Sequence, residues 1–279
     1  MFVGKMENNM LIVGLGEAGK NIANLFKPHT KTYKILIFDE GEGLEPRNSV
    51  EEYDEHPIKI NRRGLKSHSE GLLFVCGSGK VAGATLRLLE ALQAHKMTVV
   101  YLVPDLEFAS REEKLRHRAH LGILQEYARS GKINEIILLS NKMLLESVGA
   151  GPIRQYYEKV NYYIYSTFQN LNFCHNVDQD FGKLHKLKEI SRICTIGWNS
   201  MHGEEKLLFP LENITESCYY MNIDESDLDS DEDLLPNCQQ IARDNNNLER
   251  HSSFAIWKNS ETENHYYVKH YTHHIQEIK

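Results

Sequence analysis

Residues 72–92, LLFVCGSGKVAGATLRLLEAL, run from an apolar strand through a glycine turn into an amphipathic helix, and residues 9–26, NMLIVGLGEAGKNIANLF, keep the same order. A chain that repeats this unit has few architectures open to it. Near-continuous apolar strands must be covered on both faces, and a strand that turns tightly into a helix returns as a parallel neighbour. YKILIFDE, GLLFVCG, MTVVYLVPD and INEIILLSN supply the further strands up to residue 148, and SREEKLRHRAHLGILQEYARSG supplies a long polar helix. The expected fold class is α/β, a Rossmann-like parallel sheet with helices on both faces. Ligands of such sheets sit at the carboxyl ends of the strands.

From residue 152 the text becomes helical and aromatic, PIRQYYEKVNYYIYSTFQNL and then DFGKLHKLKEI. Short strands follow, SRICTIGW, SCYYMNI, SFAIWK and HYYVKHY, with helical PNCQQIARDN among them. The expected organisation is a loose leader over 1–9, a nucleotide-binding Rossmann-like domain over 10–150, and a central helix with its following loop over 151–188. A smaller mixed α+β subdomain completes it over 189–279. The acidic run DESDLDSDEDLL reads as a solvated loop. Its Asp227, Asp229, Asp231 spacing opens like a calcium loop, but Glu232 stands where glycine is needed and Cys238 where glutamate is needed.

The bulk numbers exclude several classes. Five scattered cysteines without CxxC spacing argue for reduced thiols and against zinc, and a formal charge of -7 offers no global basic field for nucleic acid or anionic lipid. No apolar run approaches the roughly 18 residues of a membrane span. The expectation is a cytoplasmic protein with neither nucleic-acid nor membrane partners and no metal cluster. The histidine pairs His117 and His120, and His265 and His270, read as surface.

Three glycine readings compete. GSGK resembles a P-loop, yet Phe74 occupies the position of the leading glycine and Val81 that of the magnesium-binding hydroxyl, so that reading fails. GLGEAG places Gly14, Gly16 and Gly19 after a strand, with Asp39 closing the next one, which is the dinucleotide fingerprint and would suit an NAD-binding Rossmann enzyme. That enzyme has no need of a second turn at Gly77, Ser78, Gly79 and Lys80. A nucleotide cradled between two glycine turns does.

At this point the chain resembles the tubulin/FtsZ superfamily. IVGLGEAGKNIANLF is similar to that family's first glycine loop and helix, with Gly19, Asn21 and Asn24 in register. FVCGSGKVAGAT is similar to its glycine signature, shortened to Gly77, Ser78, Gly79 and Gly83, in a form like that of phage tubulins. TVVYLVPDLEFASREEKLRHRAHLGI resembles the FtsZ strand, proline, Glu, Arg and polar helix, and IILLSNKMLL the strand after it. The resemblance implies GTP or GDP as ligand, with Mg2+, and assigns Glu107 and Arg111 to the ribose and phosphates. It assigns Tyr157 and Asn161 to guanine; one helical turn puts these two on one face. NVDQDF resembles the catalytic loop, which implies that Asn176, Asp178 and Asp180 enter the nucleotide site of the next subunit in a head-to-tail filament, although Asp180 falls one residue early. A weak GTPase follows from the resemblance; a non-hydrolysing structural or regulatory module of the same fold is the alternative.

Overall fold

The computed structural model describes residues 10–29, 31–47, 51–56, 58–61, 64–107, 109–149, 151–201, 204–244, 249–259 and 263–277. The leader expected over 1–9 lies outside these residues. The first half contains β1 (Met10–Leu15), α1 (Gly16–Leu25), β2 (Tyr33–Glu40), β3 (Gly43–Leu44), β4 (Glu70–Cys76), α2 (Thr85–Ala91), β5 (Lys96–Val103), α3 (Arg111–Arg129), β6 (Glu135–Ser140) and α4 (Asn141–Val148). The long helix α5 (Ile153–Asn176) leads into β7 (Phe181–Gly182), β8 (Ile193–Asn199), β9 (Lys206–Leu207), β10 (Glu216–Asp224), α6 (Glu225–Ser230), α7 (Leu234–Asp244), β11 (His251–Asn259) and β12 (His265–Thr272).

The strands form one sheet in the order β3-β2-β1-β4-β5-β6-β8-β12-β10-β11-β7, with β9 added to β8. All pairs from β3 to β8 are parallel, whereas β12 is antiparallel to both of its neighbours. The two halves meet at only two register pairs, Ile136 with Ile193 and Ile137 with Cys194. The expected α/β class is the observed one, and the strands expected in a smaller mixed sheet continue the same sheet through β8.

Strand alternation decides which helices lie on which side. Leu11, Val13, Leu73, Val75, Val99 and Tyr101 pack under α2 and α3 through Leu88, Leu121 and Leu124. Ile12, Phe74, Val100 and Leu102 pack on the opposite face against Ile22 of α1 and Phe26 just past its end, Leu144 of α4, and Val160, Ile164 and Phe168 of α5. In the second half, α7 covers Tyr219, Met221 and Val268, while Cys174 near the end of α5 meets Ala255 and Trp257 behind them. Helix α5 therefore serves both cores.

Three local expectations are overturned. The segment after residue 180 is extended, because Lys183 donates its amide to the Phe254 carbonyl (3.2 Å) and His185 donates its own to Ser253 Oγ (3.0 Å), tying it along β11. The acidic run is not all loop: Asp224 caps α6 by accepting from the Ser226 amide (2.9 Å), and Glu225 and Asp227 sit in the first turn, where the helix dipole favours negative charge. The histidines expected on the surface are buried. His117 and His120 lie under the second glycine turn, and His265 and His270 lie on β12, which is covered on both faces.

Candidate functional site: a cleft between two glycine turns

The two turns meet. Gly16, at φ +72°, opens α1, and a Cβ placed on it would lie 3.4 Å from Val81 Cγ2 in the second turn. A cleft of about 680 Å³ lies between them at the carboxyl ends of β1, β2 and β4. Leu15, Gly16, Ala18, Asn21, Asp39, Ser78, Gly79 and Lys80 are among its lining residues. That volume is in the range of small-molecule and cofactor sites, roughly 300–1,000 Å³.

Sequence makes this geometry at two close approaches. A Cβ on Gly19 would stand 2.2 Å from the Phe74 carbonyl oxygen, so only glycine lets α1 lie directly on β4. A Cβ on Gly77 would stand 2.2 Å from the Tyr101 hydroxyl, which is hydrogen-bonded to His117 Nδ1 (2.8 Å) beneath the turn. Gly14, Gly19 and Gly77 thus shape the cleft from below, and Gly16, Ser78 and Gly79 face it.

Backbone donors are available there. Leu15 precedes α1 without a side-chain cap, so the first-turn amides of the helix keep their dipole for an anion. In the second turn, the amides of Gly77, Gly79 and Ala82 are spent on the Leu102, Cys76 and Gly79 carbonyls, while those of Ser78 and Lys80 make no backbone bond among the described residues. The flanking charges are paired across the cleft. Lys20 reaches Glu42 at 2.7 Å and Asp39 at 3.5 Å, and these partners raise its pKa, hydrogen bonding to Glu42 first. Lys80, with 78% of its side chain exposed, reaches out to Glu40 at 3.1 Å rather than filling the turn.

The other candidates lie elsewhere. Glu107 lines a separate cleft of about 600 Å³ with Pro104, Arg118 and Phe209, and Arg111 begins α3 on the surface. Tyr157 is 72% exposed on α5. Neither it nor Asn161 lines the glycine cleft. Further along the same helix, Tyr165 packs on Phe26 at the foot of α1 (centroids 4.9 Å apart).

Asn176, Asp178 and Asp180 lie at the far end of α5. Asn176 Nδ2 donates to the Asn172 carbonyl (2.7 Å), and Asp178 is exposed. Asp180 accepts the Lys258 amide (2.8 Å) and donates its own amide to Ile256 (2.8 Å). Phe181, in the position where the resemblance puts an acid, pairs with Ile256 on the sheet edge. At 24 residues, α5 is itself about 36 Å long, and this loop lies at its C-terminal end.

Lys20, Glu40, Arg47, Arg116 and His120 were not signalled by sequence. Lys20 follows the first turn directly within α1, whereas the others reach the turns from elements further along the chain.

Among known proteins, no family model and no curated sequence matches this chain. Solved structures do. The FtsZ dimer of M. jannaschii superposes with a TM-score of 0.68 at 10% identity, over 97% of this chain and 90% of that one. A GTPγS-form protofilament of Bacillus thuringiensis serovar israelensis TubZ gives 0.63 at 14% identity, over 94% and 86%. A type III plasmid segregation TubZ gives 0.62 at 15% identity, over 95% and 88%. This chain has the tubulin/FtsZ fold. The likeness runs through both halves of the sheet and α5, so the FtsZ/TubZ-like architecture extends past residue 200, where sequence offered only the order of strands.

Proposed function

We propose that the chain is a guanine-nucleotide-binding protein of the FtsZ/TubZ type, taking GTP or GDP in the cleft between Gly16 and Val81 and associating head to tail. The observation that carries this reading is the convergence of two glycine turns on one cleft with unspent amides. A dinucleotide enzyme would use only the first turn. The carboxylates at the rim, Glu17 and Glu40, are hard oxygen donors of the kind that Mg2+ takes.

Head-to-tail association is supported by where the acids sit. Asn176, Asp178 and Asp180 lie at the C-terminal end of α5 and none of them lines the cleft of their own chain, so they would act on a nucleotide held by a neighbouring copy. There Asp178 would orient water at the terminal phosphate, with Asn176 beside it; positioning and charge stabilisation supply most of the rate in such a transfer. Two of the solved neighbours are protofilaments of TubZ in GTPγS and GDP forms.

A non-hydrolysing module is the second reading, favoured by one feature. Asp180 is engaged with the β11 edge, which leaves Asp178 as the acid of the loop with no ion pair or side-chain hydrogen bond among the described residues. A thermal-shift screen with GTP, GDP and NAD, followed by phosphate release and sedimentation with GTP, separates the readings. Stabilisation by GTP and GDP, a pellet with GTP, and phosphate release lost in Asp178→Asn support the leading proposal. Binding without turnover favours the module, and stabilisation by NAD alone would overturn both.

A further inference from the structure

The second glycine turn has two sides. One faces the cleft at Gly16; the other faces α3, where Ser78, Gly79 and Lys80 also line a separate small pocket with Arg47, Arg116 and His120. The same three turn residues therefore border both spaces.

The charges on the α3 side differ from those in the cleft. Lys20 and Lys80 are paired with carboxylates, whereas neither Arg47 nor Arg116 has a carboxylate within 4.0 Å among the described residues. The acid that lines this pocket, Glu113, is committed elsewhere: its Oε2 accepts the Ser110 amide (2.7 Å) in the capping box that starts α3. His120, only 4% exposed, contributes a buried Nε2 with no hydrogen-bond partner among the described residues. A buried nitrogen without a hydrogen bond, lining one pocket with two guanidinium groups that have no ion pair within 4.0 Å among the described residues, calls for an oxyanion. The enclosed space is about 20 Å³. That holds one or two oxygen atoms, with the remainder of the group at the mouth on the turn.

We infer that Arg47, Arg116 and His120, with the Ser78–Lys80 turn, form a phosphoryl-binding pocket that recognises the terminal phosphate of a nucleoside triphosphate, so that triphosphate is told from diphosphate by side-chain cations. The shortened signature has few amides to do this, and the guanidinium groups take their place. For the source of the phosphoryl group the inference rests on the nucleotide reading above; for the pocket itself it does not.

The test measures Kd by calorimetry for GDP, a non-hydrolysable GTP analogue and inorganic phosphate, on the full chain and on Arg47→Gln and Arg116→Gln. Both arginines are at the surface of the pocket, so folding should survive, and thermal melting checks it. The expected result is a wild-type preference for the triphosphate that falls about tenfold in each variant, as the loss of one charge-assisted hydrogen bond implies, with GDP affinity unchanged. Loss of inorganic phosphate binding in the variants, with no nucleotide bound by any form, would keep the pocket and reject only its nucleotide source. Equal losses for GDP and triphosphate, or no change for any of the three ligands, would overturn the inference.

Discussion

At the scale of single residues, two buried imidazoles set a pH limit on the ground beneath the second turn. Burial holds His117 and His120 at about 4, below the ordinary 6.5, since the charged form would lose its water. Both are neutral in the folded protein, while the unfolded chain takes up protons as pH falls through 6.5. Stability should therefore be full above about pH 7 and should decline from there toward pH 4. The expected loss by pH 5 is on the order of 1–2 kcal/mol per histidine, read from urea midpoints at pH 7.5 and 5.0; a flat profile would contradict the burial. Cys76 offers a second check. It is half-buried on the wall of the cleft, while Cys174, Cys194, Cys218 and Cys238 are buried with thiols pushed up by burial. A maleimide should modify Cys76 first by mass spectrometry, and saturating GDP should slow that reaction severalfold if the nucleotide fills the cleft. The turn itself is less tolerant. Gly19→Ala should cost about 1–3 kcal/mol or more through overpacking, seen as a lower urea midpoint, because the added carbon meets the backbone of β4.

At the scale of elements, α3 and α5 show how local chemistry becomes position. Ser110 accepts the Glu113 amide (3.2 Å) and Glu113 returns the bond to the Ser110 amide, a complete capping box at the start of α3. Ser110→Ala removes the hydroxyl that accepts the Glu113 amide but keeps the Ser110 amide that the Glu113 carboxylate accepts from, so it should lower stability by about 1 kcal/mol, read from the urea midpoint. Helix α5 is held at its lower end by a polar chain in which Asn172 donates to Tyr33 (2.7 Å) and Tyr33 donates to Gln169 (2.5 Å). Burial pushes the Tyr33 phenol up to about 12, so it remains a donor throughout the working pH range. This fixes the register of α5 against β2, and through it the height of the loop at Asn176. The strand and helix pattern of these elements was legible: β1, β4, β5 and β6 are continuous apolar runs, and the Ser110 to Glu113 spacing is visible as text. The extended course of residues 183–188 was not, because its partners are Ser253 and Phe254, about seventy residues on, and side-chain periodicity carries no record of which edge will be free.

At the scale of the whole molecule, the joint between the two halves of the sheet is narrow and carries a buried ion pair. Lys269 of β12 meets Glu135 of β6 at 2.6 Å, with both side chains nearly covered. Burial alone would lower the lysine pKa; the Glu135 carboxylate reverses that and raises it. Removing one partner leaves the other as an uncompensated charge. Lys269→Met should thus cost about 3–5 kcal/mol, and adding Glu135→Leu should recover most of the loss, as judged from two-state urea curves. Failure of the double variant to recover would mean that the pair positions the halves rather than merely satisfying each other.

Sequence by itself determined the repeated strand, turn and helix unit, the parallel sheet, the two glycine turns and the acidic loop after the central helix, because each depends on neighbours within a few residues. It could also name Gly16, Asn21, Asp39, Ser78, Gly79 and Lys80, all of which line one cleft. Tertiary structure alone decided that the cleft is open, that Lys80 turns outward to Glu40, that His117 and His120 are buried, and that Arg47 and Arg116 converge behind the turn. Those outcomes depend on distances between elements tens of residues apart, and Coulomb energy and desolvation follow distance through space rather than along the chain.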